Sequence, residues 1–257
     1  MKSLQIVTVL IALAASGCTD VRGNGVIVTE VREVPTFDAI GNSLPINVDV
    51  EVVPGAAPSL TLRCDENVLP HIVTALDGTM LRFQAADFVS LTPTSCFATV
   101  RTARLVEVAG SASGMVVVHG ELPELRALRS SGSGGIDVLD SITSPQLAIA
   151  QSGSGNVVVA GYEGDALDID TSGSGGVEVN GGRATEAEIE SSGSGGAAAL
   201  DVVTEHAVVR SSSSGGIAIT ATQSIDVALS SSGSVIVGGS PPDRDIRVSG
   251  SGRVVFR

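Results

Sequence analysis

From residue 111 onward, short apolar-x-apolar stretches alternate on either side of a Ser-Gly step. Before the step come Leu147/Ile149, Leu167/Ile169, Ala187/Ile189, Ala207/Val209, Val227/Leu229 and Ile246/Val248. After it come Ile136/Val138, Val157/Val159, Val177/Val179, Ala197/Ala199, Ile217/Ile219, Val235/Val237 and Val254/Phe256. Period-two alternation predicts strands with one buried face. The steps keep register. Gly114, Gly134, Gly155, Gly175, Gly195, Gly215, Gly233 and Gly252 follow one another at 20, 21, 20, 20, 20, 18 and 19 residues. Each is preceded by Ser: Ser113, Ser133, Ser154, Ser174, Ser194, Ser214, Ser232 and Ser251.

A unit of this length cannot bury its own apolar side chains, but units stacked coil on coil bury a continuous column. The pattern therefore predicts an all-β fold, a parallel β-helix of about 20-residue coils. Coils ~4.8 Å apart make the eight repeats a rod on the order of 40 Å long. Glycines are expected where the chain bends or passes close to another backbone. Equivalent residues should stack, Ser on Ser and Val on Val. Hairpins of a sandwich or barrel would not require the same dipeptide at every turn.

The first half follows less regularly. Ile46–Val52 alternates cleanly, and Leu60-Thr61-Leu62 and Met80–Phe83 read as further strands, with Asp77-Gly78 as a turn. One short helical turn is expected within 66–76. No Pro/Gly-rich linker separates the halves. We expect one domain over 23–257, with an irregular N-terminal cap over 23–110 and a regular stack over 111–257.

The start of the chain reads as an address. Lys2 is followed by an apolar run from Leu4 to Ala15, too short to span a bilayer, ending in Ala15-Ser16-Gly17-Cys18. Small residues before a Cys resemble the processing site of bacterial lipoproteins, although Ala15 stands where Leu is usual. On this reading residues 1–17 are a signal peptide, Cys18 carries acyl chains, and 18–22 are the lipidated Cys and a short linker. Two or more acyl chains give stable attachment where one does not. Thr19 is not the Asp that often retains lipoproteins in an inner membrane, which favours the outer one. An ordinary secretory signal, leaving Cys18 as a thiol, is the alternative.

Composition narrows the function. The net charge is −13 and Lys2 is the only Lys, which argues against nucleic acid, whose binders need basic clusters. Aromatic residues make up 2%, consistent with a narrow aliphatic interior. Cys64 and Cys96, an even pair in an exported chain, predict a disulfide. A metal or redox site there would lack both a CxxC and a neighbouring His.

No catalytic constellation emerges. The Ser-Gly steps lie between strands, not at the strand-to-helix turn of a nucleophile elbow. A P-loop needs a Lys that the exported chain lacks. His71, His119 and His206 share no spacing and read as scattered surface residues. Asp168 and Asp170 should stack beside Glu188 and Glu190, all outward, where like charges repel. Ca²⁺ could relieve that repulsion, but the repeats are not the GGxGxD type, and a solvated acidic face balanced by Arg210 is the plainer reading. Tyr162, the single Tyr, is expected on a surface loop between coils.

Several segments together resemble the bacterial GIN domain family, the head domain of auto-transporter adhesins. They are Gly23-Asn24-Gly25, Arg32-Glu33-Val34 with Phe37–Ile40, Glu66–Thr74, the SGSG repeats, and Gly238-Gly239-Ser240-Pro241. The resemblance covers 23–257 and implies a right-handed β-helix in the cell envelope, with no catalytic residues and no cofactor to carry over. Ser213 and Ser231 depart from it by replacing repeat glycines. The expected function is a non-enzymatic, membrane-anchored structural or adhesive role toward an envelope protein or glycan. Polysaccharide binding or cleavage is the alternative.

Overall fold

The computed structural model describes residues 18–257; the expected signal peptide lies outside them. In chain order the first strands are β1 (Thr19–Arg22), β2 (Ile27–Arg32), β3 (Ala39–Asn42), β4 (Asn47–Val52) and β5 (Ser59–Asp65). A 3₁₀ turn (Leu69–His71) precedes β6 (Ile72–Asp77), β7 (Met80–Ala85), β8 (Val89–Thr92), β9 (Cys96–Thr102), β10 (Glu107–Gly110) and β11 (Val116–Gly120). Next come β12 (Ala127–Ser130), β13 (Ile136–Thr143), β14 (Gln146–Gln151), β15 (Val157–Thr171), β16 (Val177–Val179) and β17 (Gly182–Ser191). The chain ends with β18 (Ala197–Ser211), β19 (Gly216–Leu229), β20 (Ser234–Gly238), β21 (Asp243–Val248) and β22 (Arg253–Phe256).

These strands wind into a β-solenoid of about eight turns. Strands before the Ser-Gly step pair in parallel and in register, so Ile40, Val108, Leu128, Ile149, Ile169, Ile189, Val209, Val227 and Ile246 form one ladder. Strands after it build a second, from Val48 through Val116, Ile136, Val157, Val177, Ala197, Ile217 and Val235 to Val254. A shorter third face contains Ile142, Tyr162 and Val202, all buried. Before the last coil the inward residues are mostly aliphatic and almost wholly covered, each contributing roughly 1.5–3 kcal/mol where a Val, Ile or Leu is fully buried.

At the step the glycines stand in single file. A Cβ on Gly134 would overlap the carbonyl oxygen of Gly114; Gly155 meets Gly134, Gly175 meets Gly155 and Gly195 meets Gly175 in the same way. The corner is itself hydrogen-bonded between coils, with Ser154 N donating to Gly132 O at 2.9 Å and Ser174 N to Gly153 O at 3.0 Å. Any side chain on this file would push adjacent coils apart.

The first half is joined differently. β3 and β4 form a coil, but the chain then leaves the stack. β7 and β9 add on the outer side of that coil, aligning Leu81 with Ile40 and Val100 with Val50. β10 and β11 resume on the opposite side. Antiparallel strands finish the outer side: β6 on β7, then β5 on β9 and β2 on β5. Gly78, at φ 63°, makes the β6–β7 turn. The helical expectation for 66–76 shrinks to Leu69–His71, because Ile72, Val73 and Thr74 are β-branched and gain hairpin partners on β7.

Thr19–Arg22 is also not a free linker. It forms β1, paired in parallel with β8, and Thr19 N donates to Phe88 O at 2.7 Å. Asp65, fully buried, holds the following turn. Its carboxylate accepts from Gly25 N at 2.8 Å, Thr94 N at 2.8 Å, Thr94 Oγ1 at 2.5 Å and Ser95 N at 3.3 Å. Burial pushes its pKa up, but these donors outweigh burial and bring it to about 2.

The far end of the stack is less covered. Ile246 and Val248 occupy inward positions yet remain partly exposed, as no further coil lies over them. Arg244 continues the row of Ile225 and places its guanidinium 4.2 Å from the centre of the Phe256 ring. A charge on an inward row discourages another strand from adding there.

Candidate functional site

The repeated corner presents two exposed Ser rows. One contains Ser131, Ser152, Ser172, Ser192, Ser212, Ser230 and Ser249; the other contains Ser133, Ser154, Ser174, Ser194, Ser214, Ser232 and Ser251. The geometry is forced by the step: glycines face the neighbouring coil, so the serines between them point to solvent. Ser213 replaces a glycine, is fully buried, and places its hydroxyl 3.3 Å from that of Ser211. The solenoid continues through it.

Just inside the corner runs a buried polar column that the alternation of apolar residues did not reveal. Asn42, Ser130, Gln151, Thr171, Ser191 and Ser211 are all buried. Gln151 Nε2 donates to Gly153 O at 2.9 Å and Gly155 O at 2.7 Å, and Thr171 Oγ1 donates to Ser191 Oγ at 2.8 Å. Asn42, Ser130 and Gln151 satisfy carbonyls at the tight corner, and Thr171 and Ser191 pair with each other. Gln151 Oε1 has no partner.

Outside, a groove of about 920 Å³ follows the corner across five coils. Ser172, Ser192, Ser212, Ser230 and Ser249 line it together with Asp170, Glu190, Arg210 and Arg247. The expected acidic stacking is present: Asp168 lies beside Glu188, and Asp170 beside Glu190. Arg210, next to Glu190 on the following coil, donates to Glu188 and lies 3.5 Å from Glu190. Burial, then the adjacent Asp170 carboxylate, push the Asp168 pKa upward. Among the described residues no three His, Cys, Asp or Glu side chains converge as metal ligands.

The other candidates lie apart. Cys64 and Cys96 face each other across β5 and β9 and form a disulfide. Cys18 is exposed beside β1, with its thiol free. His71 lies in the 3₁₀ turn, His119 Nε2 is 3.1 Å from Asp49 Oδ1, and His206 Nδ1 is 2.8 Å from Ser224 Oγ, so the three do not meet. Tyr162 corrects the surface-loop expectation. It sits within β15, is fully buried, and is the largest wholly buried side chain among the described residues. Its hydroxyl donates to Ala166 O at 2.7 Å, and burial raises its pKa to about 12. It is therefore no platform for a sugar.

Residues 36–241 match the family described as "Putative auto-transporter adhesin, head GIN domain". The chain belongs to this GIN-domain family. Among solved structures it is similar to a "putative adhesin" from Parabacteroides merdae, at 20% identity and a TM-score of 0.80, covering 92% of this chain and 99% of that one. A "putative adhesin" from Parabacteroides distasonis gives 18% and 0.79, covering 93% and 100% respectively. A "putative lipid binding protein" from the same species gives 24% and 0.76, with 92% and 100% coverage. At these identities the likeness shows the fold. Neither the family nor these neighbours are named as enzymes. No curated protein matches the chain.

Proposed function

We propose that this GIN-domain protein is a non-enzymatic, lipid-anchored protein of the cell envelope, placed at the outer membrane, that binds an elongated polar ligand along its serine corner. The observation that carries the binding role is the groove. It repeats one hydroxyl on five successive coils and sets ionic side chains beside them. Such a surface gains affinity by adding small polar contacts along its length rather than by one deep pocket. A glycan, rich in hydroxyls and extended, matches that lining. Catalysis is not needed: the groove holds no nucleophile paired with a base, and its serines are copies of a structural repeat.

The anchor rests on the apolar run ending at Ala15-Ser16-Gly17-Cys18 and on the exposed, unpaired Cys18 thiol. Removal of 1–17 makes Cys18 the first residue. Among the described residues no helix is long and apolar enough to cross a membrane. The names of the family and of its structural neighbours support an envelope location and an adhesive role.

The test is a glycan array with the mature protein, alongside reducing-sugar assays. Binding that falls about tenfold in Arg210→Ala or Ser192→Leu supports the reading. Turnover of any polysaccharide, abolished by changing one acid or Arg of the groove, overturns the non-enzymatic role.

A further inference from the structure

We propose that the N-terminal end of the solenoid rests on the lipid bilayer, with Phe88 entering the interfacial layer beside Cys18. The inference rests on the lipoprotein reading above and adds a contact surface and an orientation to it.

Almost no tether separates Cys18 from the body of the fold. A lipid attached to Cys18 is followed at once by β1, whose first residue is hydrogen-bonded to Phe88 O. One residue spans at most ~3.6 Å. An acylated Cys18 therefore brings the β1–β8 edge to the headgroups, with no slack for the body to drift away.

The side chains at that end suit this position. Phe88 is 69% exposed, in a chain with only five Phe and no Trp. Its backbone is left-handed, at φ 61°, a conformation costly for a bulky residue. Packing within the protein does not account for Phe at this place. The strand order sets β2 and β6 outermost at the same end. They carry Val31, 75% exposed, with Val73 and Leu76 also exposed, and Val26 precedes β2. An exposed aromatic ring beside a lipid anchor, at an end whose outermost strands also expose aliphatic side chains, is the chemistry of an interfacial contact. The coils then stack away from the membrane, so the serine corner runs outward along the rod.

The test uses the natural lack of Trp. The full chain is produced in a Gram-negative host, purified from its envelope, and placed in phosphatidylcholine vesicles carrying brominated acyl chains. Phe88→Trp is expected to show blue-shifted emission, quenched at least twofold by the brominated lipid. Val255→Trp, on the last strand, is expected to stay unquenched. Equal emission from Trp at 88 with and without bromine, or equal quenching at both positions, overturns the inference. The mass of the N-terminal peptide reports acylation separately. If Cys18 is not acylated, the lipoprotein reading fails on its own, and coupling Cys18 to a maleimide lipid puts the same fluorescence comparison to the surface contact. With one acyl chain on Cys18, where attachment is reversible, Phe88→Ser should weaken vesicle partitioning about three- to tenfold. Unchanged partitioning counts against the contact.

Discussion

The hydroxyl of Tyr162 bonds to the carbonyl of Ala166, 2.7 Å away on the same strand, and so crosses a bend inside the solenoid wall. The carbonyls of Ser144 and Pro145, on the preceding coil, lie 3.1 and 3.2 Å from the same oxygen. Tyr162→Phe keeps the ring and leaves these buried acceptors without their donor. It should destabilise by about 1–3 kcal/mol, measured by urea unfolding. Tyr162→Ala should cost about 3–5 kcal/mol, because it also empties the space the ring fills.

Burial of the same hydroxyl predicts an alkaline response. The folded phenol titrates at about 12 against an ordinary value of 10.0. Between these values the unfolded chain releases a proton that the folded one keeps, so stability falls as pH rises through the window and is fully present below it. As this is the only Tyr, the rise of tyrosinate absorbance reports it directly. Native protein should titrate near 12 and urea-unfolded protein near 10. Tyr162→Phe should flatten the corresponding loss of stability.

The glycine file gives a matched pair of substitutions. Gly175→Ala drives a Cβ into the carbonyl of Gly155 and against Gln151 Nε2, so the coils must separate. Gly181→Ala meets no atom within 4 Å and has no left-handed backbone to oppose it. We expect Gly175→Ala to cost about 3 kcal/mol or more, and Gly181→Ala to be neutral or slightly stabilising through the unfolded chain. Thermal unfolding by circular dichroism separates them. Equal melting temperatures would contradict the close approach of the coils.

How far the fold could be read from sequence depended on repetition. Gly134, Gly155, Gly175 and Gly195 announced their stacking through a constant interval, and Leu147, Ile149, Leu167 and Ile169 their burial through alternation. Tyr162 reads as a loop residue because Gly161 and Gly164 flank it and glycines suggest a loop. Here Gly164 instead yields room to the Tyr162 hydroxyl and the Ser144 carbonyl. β7 and β9 pair with a coil formed earlier in the chain, a non-local choice that leaves no periodic mark. The buried column from Asn42 to Ser211 is hidden for another reason: its members vary among Asn, Ser, Gln and Thr, so no repeated residue marks the row. Of the groove, the acids and Arg210 were visible by stacking. Arg247 was not, because Ala228 interrupts the row between it and Arg210.

The N-terminal strands depend on two adjacent residues, Cys64 and Asp65. The disulfide to Cys96 closes a sequence separation of 32, for which the chain-entropy model gives about 3–4 kcal/mol. Replacing both cysteines by Ser should lower stability by about that amount, read from the urea midpoint. Protection from hydrogen exchange should fall first in β2, β5 and β9. Uniform loss across the whole stack would show that this end does not open independently.

Asp65 makes the same end acid-sensitive. Its folded pKa of about 2 lies below the ordinary 3.8. The unfolded carboxylate therefore takes up a proton first, and stability present above that ordinary value is lost as pH falls toward 2. Asp65→Asn cannot satisfy the four donors now shared by the carboxylate. It should lower the melting temperature at pH 7 by several degrees and reduce the difference in melting between pH 4 and pH 2. A variant as acid-sensitive as the parent would move the cause elsewhere.

On the acidic face the sign reverses. Asp168 has a raised pKa, from burial and then from Asp170, so its ionised form is disfavoured in the folded state. Its contribution to stability is complete below its ordinary pKa and is lost as pH rises through the folded value. Asp168→Asn should therefore raise the melting temperature at pH 7 and leave it nearly unchanged at pH 3. Arg210→Ala removes the cation that bridges Glu188 and Glu190. These groups are exposed, so the loss should be below about 1 kcal/mol and should shrink further in high salt. Combining the two substitutions distinguishes local repulsion from a general effect of net charge. If repulsion among these stacked carboxylates matters, Asp168→Asn should stabilise more in the Arg210→Ala background than in the parent. Equal increments would mean that the face is screened by solvent alone.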